Sequence, residues 1–133
     1  MNKNKAVFLD RDGVINKNKI NYVKTIEELE ILPSIGIPIK ELKNNDYFVI
    51  VITNQSPINR KLMTHEQLNM IHASIQHYLE FFDTSIDKFY FCPHMPEENC
   101  NCRKPNTGML MQAISEFNES IEEKTIPPSE TPA

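Results

Sequence analysis

The sequence lacks three features that would assign it to large classes of proteins. Basic residues are not in excess, because 14 lysines and arginines stand against 18 acidic residues and leave a net charge of −4. The chain is therefore unlike a nucleic-acid binder that relies on positive surface potential. No apolar run approaches the ~20 residues needed to cross a bilayer, and the short apolar stretch after Met1 does not predict a signal peptide. We expect a cytoplasmic protein without a nucleic-acid or membrane partner.

Cysteine is also scarce, and the three cysteines of the chain lie in one short segment. Such clustering fits a reducing cytosol better than a disulfide framework. With His94 they form the pattern Cys-x-His-x5-Cys-x-Cys, and Zn²⁺ favours a closed tetrahedral set of thiolate and imidazole ligands in structural sites. The alternative is three reduced structural thiols without a metal. The sequence predicts a structural zinc site with the ligands Cys92, His94, Cys100 and Cys102.

The apolar segments alternate between strand and helix patterns within a length of 133 residues that fits one domain. Continuous apolar runs predict buried strands at 6–9, 47–52 and 86–91. Helical patterns cover 36–44, 68–82 and 109–117, the second preceded by a capping box that begins at Thr64. The alternation predicts an α/β fold with a parallel sheet. We assign residues 1–118 to this domain and expect 119–133 to be a disordered tail.

Polar residues follow two of the predicted strands. Asp10 and Asp12 come directly after the first strand, where Gly13 lets the chain turn. Two such carboxylates could bind Mg²⁺ and act on a phosphoryl group, one as nucleophile and one as general acid and base. A strand-ending turn with solvated acids explains the spacing equally well. Thr53 and Asn54 follow the second strand and could bind phosphate oxygens, although Thr-Asn is also common turn chemistry.

Two cations, Arg103 and Lys104, directly follow the last thiol. A zinc site that presents cations suggests an anionic substrate such as a phosphate, whereas lone surface cations are usually solvated. The other histidines, His65, His72 and His77, have no neighbours of the metal-ligand type. We expect them to be ordinary helix residues.

Segments 8–16, 51–56, 92–94 and 100–109 together resemble the haloacid dehalogenase superfamily. Within it they are most similar to the zinc-containing D-glycero-D-manno-heptose 1,7-bisphosphate phosphatases and their histidinol-phosphatase relatives. The resemblance runs from about residue 5 to residue 117. It implies a Rossmann-like three-layer fold around a parallel sheet, with a zinc-binding loop.

The resemblance also implies a role for each matching residue. Asp10 would be the nucleophile that becomes a phosphoaspartate, and Asp12 the general acid and base, both contributing to Mg²⁺ ligation. Zinc would position the loop that carries Lys104. The residues that would bind the phosphate and the remainder of the substrate are Thr53, Asn54, Arg60, Arg103 and Lys104. The implied function is Mg²⁺-dependent hydrolysis of a small phosphorylated metabolite, heptose 1,7-bisphosphate, in the cytoplasm.

Two details of the sequence concern the substrate. The triplet at 54–56 and the pair at 108–109 favour heptose bisphosphate over histidinol phosphate. Pro57 replaces the glycine that is usual in the heptose enzymes, and this change could alter the loop that carries Arg60. Histidinol phosphate is therefore kept as the alternative substrate.

The fourth motif of the superfamily, a strand followed by acids that supply a carboxylate to Mg²⁺, has no counterpart in this sequence. The last aspartate is Asp87, and no apolar strand precedes Glu122 and Glu123. We therefore expect a C-terminally truncated chain without the last strands and with reduced or absent turnover, since Mg²⁺ needs near-octahedral oxygen coordination. The strand at 6–9 would then lie at a sheet edge, through which an otherwise monomeric protein could associate.

Three functions from different classes stay open at this point. The first is an active phosphatase, which the nucleophile motif and the cysteine cluster favour. The second is an inactive remnant that keeps only the zinc site and phosphate binding, which the missing fourth motif favours. The third is a zinc-stabilised interaction module in which the acids are turn residues.

Overall fold

A parallel three-stranded sheet forms the middle layer of the protein. The computed structural model describes residues 5–120. Strands β1 (Lys5–Leu9), β2 (Tyr47–Asn54) and β3 (Lys88–Cys92) lie side by side in the order β1-β2-β3. All of them run in the same direction, as the predicted α/β fold requires.

The register of the sheet places three functional segments at the same edge. Leu9, the last residue of β1, pairs with Val51. Asn54, the last residue of β2, pairs with Cys92, the last residue of β3. The residues that follow the strands therefore begin close together in space, because the carboxyl ends of parallel strands meet at one edge.

Three helices cover the sheet, and their ends follow local sequence signals. They are α1 (Gly36–Asn44), α2 (His65–Glu80) and α3 (Gly108–Ser120), with short 3₁₀ helices at Pro33–Ile35 and Pro96–Glu98. Pro38 lies in the first turn of α1, where its missing N–H breaks no helical bond. At the start of α2, Thr64 Oγ1 accepts from Gln67 N at 3.0 Å and Thr64 N donates to Gln67 Oε1 at 2.9 Å. The predicted capping box is confirmed.

The core is divided between the two faces of the sheet. On one face, α1 and α2 pack against β2 through buried aliphatic side chains: Ile39, Val49, Val51, Leu68, Ile71, Ile75 and Leu79. On the other face, Met109 and Ala113 of α3 pack against Ala6, Phe8 and Ile50. The helices thus form two outer layers around the sheet, and the predicted three-layer architecture is confirmed.

Several expectations concern the ends of the chain. Within the described residues β1 lies at an edge of the sheet. The segment predicted to be a disordered tail lies outside the described residues, apart from its first two positions at the end of α3. The fourth-motif region and the predicted truncation concern the same undescribed segment. In the part of the chain that is described, no helix is both long enough and apolar enough to span a membrane.

Shortening a core side chain of α2 tests this packing. Ile75 is fully buried, so the replacement Ile75→Ala should lower the free energy of unfolding by about 2–5 kcal/mol through lost burial and a residual cavity. Met70, on the same helix, is 50% exposed, and Met70→Ala should change it by less than about 0.5 kcal/mol. Urea denaturation of metal-saturated protein measures both values. Equal losses in the two variants would contradict the packing described above.

Candidate functional site

Asp10 and Lys104 form an ion pair at the carboxyl edge of the sheet. Asp10 directly follows β1, and its side chain is 53% exposed. Lys104 comes from the loop before α3, and its Nζ also donates to the main-chain oxygen of Ile52 in β2 at 3.1 Å. Burial lowers the pKa of the Lys104 ammonium. The pair places an accessible carboxylate and a partly desolvated cation in direct contact.

The carboxylate of Asp12 is held by three donors. Its Oδ1 accepts from Arg11 Nη2 at 2.7 Å and from Asn16 Nδ2 at 3.0 Å, and its Oδ2 accepts from Gln55 Nε2 at 2.9 Å. The turn that allows this arrangement contains Gly13 at a φ of +91°, a conformation that favours glycine. Both oxygens of Asp12 are therefore oriented before any ligand binds.

Thr53 is connected to Asp12 through Gln55, and Asn54 is connected to Asp10 through Lys104. Thr53 is 2% exposed, and its Oγ1 accepts from the same Gln55 Nε2 at 2.9 Å. Asn54 contacts the main chain of Lys104 twice, since its Oδ1 accepts from Lys104 N at 2.9 Å and its Nδ2 donates to Lys104 O at 3.3 Å. The Asn54 amide thus fixes the position of the loop that carries Lys104.

Arg60 and Arg103, which the sequence also placed in the site, make their contacts elsewhere. The exposed Arg60 donates from Nε to Ser56 Oγ at 3.2 Å. Arg103 donates from Nη1 to the main-chain oxygen of His94 at 3.2 Å. Their roles toward the remainder of a substrate stay predictions.

The four predicted metal ligands converge on one point. The Sγ of Cys92 lies 3.3 Å from His94 Nδ1, 3.5 Å from Cys100 Sγ and 2.8 Å from Cys102 Sγ. All four donor atoms lie within 4.8 Å of one another. A tetrahedral ion with metal–sulfur bonds of ~2.3 Å would hold its sulfurs roughly 3.8 Å apart. The cluster could therefore hold one metal ion after small adjustments of the side chains.

The thiols of the cluster alter one another's pKa when no metal is bound. Burial, together with the neighbouring thiol of Cys102, raises the pKa of the Cys92 thiol to about 12. A bound cation would replace this proton, because thiolate and not thiol is the ligand. The residue types and their convergence both fit a structural metal centre.

Main-chain contacts connect the metal-ligand loop to β2 and α3. Gln55 N donates to Cys92 O at 2.7 Å, and Gly108 N donates to Asn101 O at 2.8 Å. A Cβ on Gly108 would lie 2.5 Å from Asn101 O, so only glycine permits this close approach. Lys104 lies between these two attachments, and the loop therefore presents its side chain toward Asp10.

Comparison with known proteins agrees with this geometry. The family model for polynucleotide kinase 3 phosphatase matches residues 5–128. The D-glycero-beta-D-manno-heptose-1,7-bisphosphate 7-phosphatase of Helicobacter pylori is 41% identical over 124 residues, which are 92% of this chain and 71% of that protein. The chain belongs to the phosphatase family that includes the heptose 1,7-bisphosphate phosphatases. The sequence resemblance to the heptose bisphosphate phosphatases of the haloacid dehalogenase superfamily is thereby confirmed.

Two further heptose bisphosphate phosphatases extend the comparison. That of Neisseria meningitidis serogroup A is 38% identical over 119 residues, which are 90% of this chain and 64% of that protein. The crystal structure of D,D-heptose 1,7-bisphosphate phosphatase from B. bronchiseptica, complexed with magnesium and phosphate, superposes with a TM-score of 0.82 at 35% identity. It is covered to 64% of its length by 86% of this chain. The chain thus spans about two thirds of the length of the heptose bisphosphate phosphatases it matches.

Sequence reasoning missed the three residues that bind the Asp12 carboxylate, Arg11, Asn16 and Gln55, and the contact of Arg11 with His72. Asn16 and Gln55 lie within the motifs themselves, and their side-chain amides offered a signal that was not used. Arg11 and His72 carried a weaker signal. Arg11 is fully buried and its Nη1 lies 3.2 Å from His72 Nε2 on α2. His72, which we expected to be an ordinary helix residue, is buried and contacts a charged side chain.

Burial, followed by the charge of Arg11, lowers the pKa of His72 to about 3. The same imidazole in the unfolded chain titrates near its usual value of 6.5. Between these values the unfolded state binds the extra proton, so stability is complete above about pH 6.5 and decreases as the pH falls toward 3. The charged groups that face His72 are Arg11 and Asp12.

The replacement His72→Gln isolates this contribution, because it removes the titrating group and retains Arg11 and Asp12. Between pH 7 and pH 5 the wild-type protein should lose about 2 kcal/mol more of its free energy of unfolding than the variant does. Urea denaturation of metal-saturated protein at the two pH values measures the difference. The same pH dependence in both proteins would show that His72 does not titrate as described.

Proposed function

We propose that this chain hydrolyses a phosphate ester of heptose 1,7-bisphosphate through a phosphoaspartate on Asp10, in a Mg²⁺-dependent reaction. The observation that carries the proposal is the arrangement at the sheet edge, where the accessible Asp10 contacts Lys104 while Asp12 is oriented by three donors. The names of the relatives specify the 7-phosphate of the sugar, and we assign the same ester here.

The proposed reaction has two steps, each with a defined path for protons and bonds. The Asp10 carboxylate attacks phosphorus, the bond between phosphorus and the sugar oxygen breaks, and Asp12 donates a proton to the departing alkoxide. Asp12 then takes a proton from water, which attacks phosphorus and releases phosphate and free Asp10. Lys104 offsets the negative charge of the phosphoryl group, and the Thr53 hydroxyl can donate to its oxygens.

The oxygen donors at the sheet edge also fit Mg²⁺. The residues that would hold the ion are Asp10, through its half-exposed carboxylate, and Asp12, through its main-chain carbonyl. Hard oxygen donors of this kind are the ligands that Mg²⁺ prefers. When bound, the ion would supply positive charge beside the phosphoryl oxygens.

Zinc is the metal that we propose for the cluster of Cys92, His94, Cys100 and Cys102. Three thiolates and one imidazole without an open position suit a structural Zn²⁺. The loop that the cluster organises contains Lys104, so the metal would act on hydrolysis indirectly, through the position of this cation. A role in the chemistry itself would need an open coordination position.

Removal of one ligand tests the zinc site. The replacement His94→Gln should reduce bound zinc from one ion per chain, lower the thermal unfolding temperature and impair hydrolysis, because the loop that carries Lys104 loses its organising contact. His77 is an exposed histidine on α2, and His77→Gln should leave all three quantities unchanged. Metal analysis and calorimetry measure them. Full zinc content in His94→Gln would remove His94 from the ligand set.

Replacement of the nucleophile tests the reaction. Asp10→Asn should abolish phosphate release, since the amide is not a nucleophile, with a loss of at least about a thousandfold. Asp83 is an exposed aspartate at a positive φ of 56°, a conformation that asparagine tolerates, and Asp83→Asn should retain full activity. Phosphate release from heptose 1,7-bisphosphate, with histidinol phosphate alongside, is measured with and without Mg²⁺.

Each result of this assay has a defined meaning. Mg²⁺-dependent release that Asp10→Asn abolishes supports the proposal. Faster release from histidinol phosphate would change the assigned substrate to that compound. No release from folded, zinc-loaded wild-type protein would contradict the proposed activity and favour a chain that only binds zinc and phosphosugar.

A further inference from the structure

Arg11 places a guanidinium inside the protein, in direct contact with Asp12 of the site. Its side chain is fully buried, and its Nη2 donates to Asp12 Oδ1 at 2.7 Å. Its Nε has no hydrogen-bond partner among the described residues. A buried cation depends on each partner that it has, because water cannot replace a lost one. The second partner of Arg11 therefore also helps to determine its position.

That second partner is the imidazole of His72, whose Nε2 lies 3.2 Å from Arg11 Nη1. A guanidinium has donors only. His72 must therefore accept with Nε2, which assigns the neutral tautomer with the proton on Nδ1. The ring is itself held in place by stacking on Phe89 of β3, with centroids 4.1 Å apart and planes 12° apart. A fixed acceptor on α2 thus faces the buried end of Arg11.

We propose that His72 is a positioning residue that holds the Asp12 carboxylate in its working orientation through Arg11. The proposal rests on the proposed function, in which Asp12 moves protons. Without the acceptor on His72, Nη1 would be a second unsatisfied donor on a buried cation, and the guanidinium would turn toward another acceptor. The Asp12 carboxylate would then move with the guanidinium, because Asn16 and Gln55 alone would hold only part of its original orientation.

Two replacements of His72 separate positioning from packing. Leucine fills the volume without an acceptor, and glutamine carries an amide oxygen that can reach the place of Nε2. His72→Leu should lower kcat roughly tenfold or more with little change in KM, because Asp12 acts in the chemical step and not in ground-state binding. His72→Gln should restore most of this kcat.

A core variant of the same helix provides the matched control. Ile75→Val shortens a buried aliphatic side chain of α2 that makes no hydrogen bond to Arg11 or Asp12. Its kcat should equal that of the wild type at temperatures where both proteins are folded. Equal losses of kcat in His72→Leu and Ile75→Val would overturn the proposal, since they would indicate a packing effect. Unchanged kcat in His72→Leu would overturn it as well.

A spectroscopic measurement tests the hydrogen bond without reference to activity. The ¹⁵N shifts of the His72 imidazole, assigned with the His72→Gln variant, should show an unprotonated Nε2 and a protonated Nδ1 in the zinc-loaded protein. A protonated Nε2 would overturn the proposal whatever the kinetics. If the wild-type protein releases no phosphate, the proposed function fails and the role of His72 in it fails too, while the shifts still decide whether Arg11 is bound as described.

Discussion

Parallel pairing of the three strands is the constraint on which the site depends. It brings the residues that follow β1, β2 and β3 to one edge of the sheet, where Leu9 is level with Val51 and Asn54 with Cys92. Asp10 then meets a cation that comes from beyond β3, and Asp12 meets an amide from the end of β2. An antiparallel strand would send its following loop to the opposite edge and separate these groups.

The cysteine cluster lies in the loop that follows β3, next to this edge of the sheet. Its first ligand ends β3, and its last directly precedes the pair of cations. Asn54 binds both main-chain groups of Lys104, so β2 and the cluster together determine where the ammonium lies. A metal ion bound by these four side chains would therefore help to fix the loop from which Lys104 contacts Asp10.

Polar side chains lie on the side of the site that faces the protein interior. Arg11 and His72 are among the few buried polar side chains, and Arg11 contacts Asp12. Such groups are costly to bury, because protein partners must replace the hydrogen bonds that water would make. Packing supplies the rigidity, since Phe89 stacks on the imidazole and itself packs against the aliphatic core on this face of the sheet.

The sequence by itself determined the order of strands and helices along the chain, the four candidate metal ligands, and the acids at the end of β1, because each of these depends on local spacing. Only the tertiary structure decided which side chains orient Asp12. Gln55 is 43 positions from Asp12, and His72 is 61 positions from Arg11. No periodicity connects residues so far apart, because a hydrogen bond between them depends on the register of the sheet and on the face that α2 turns toward it.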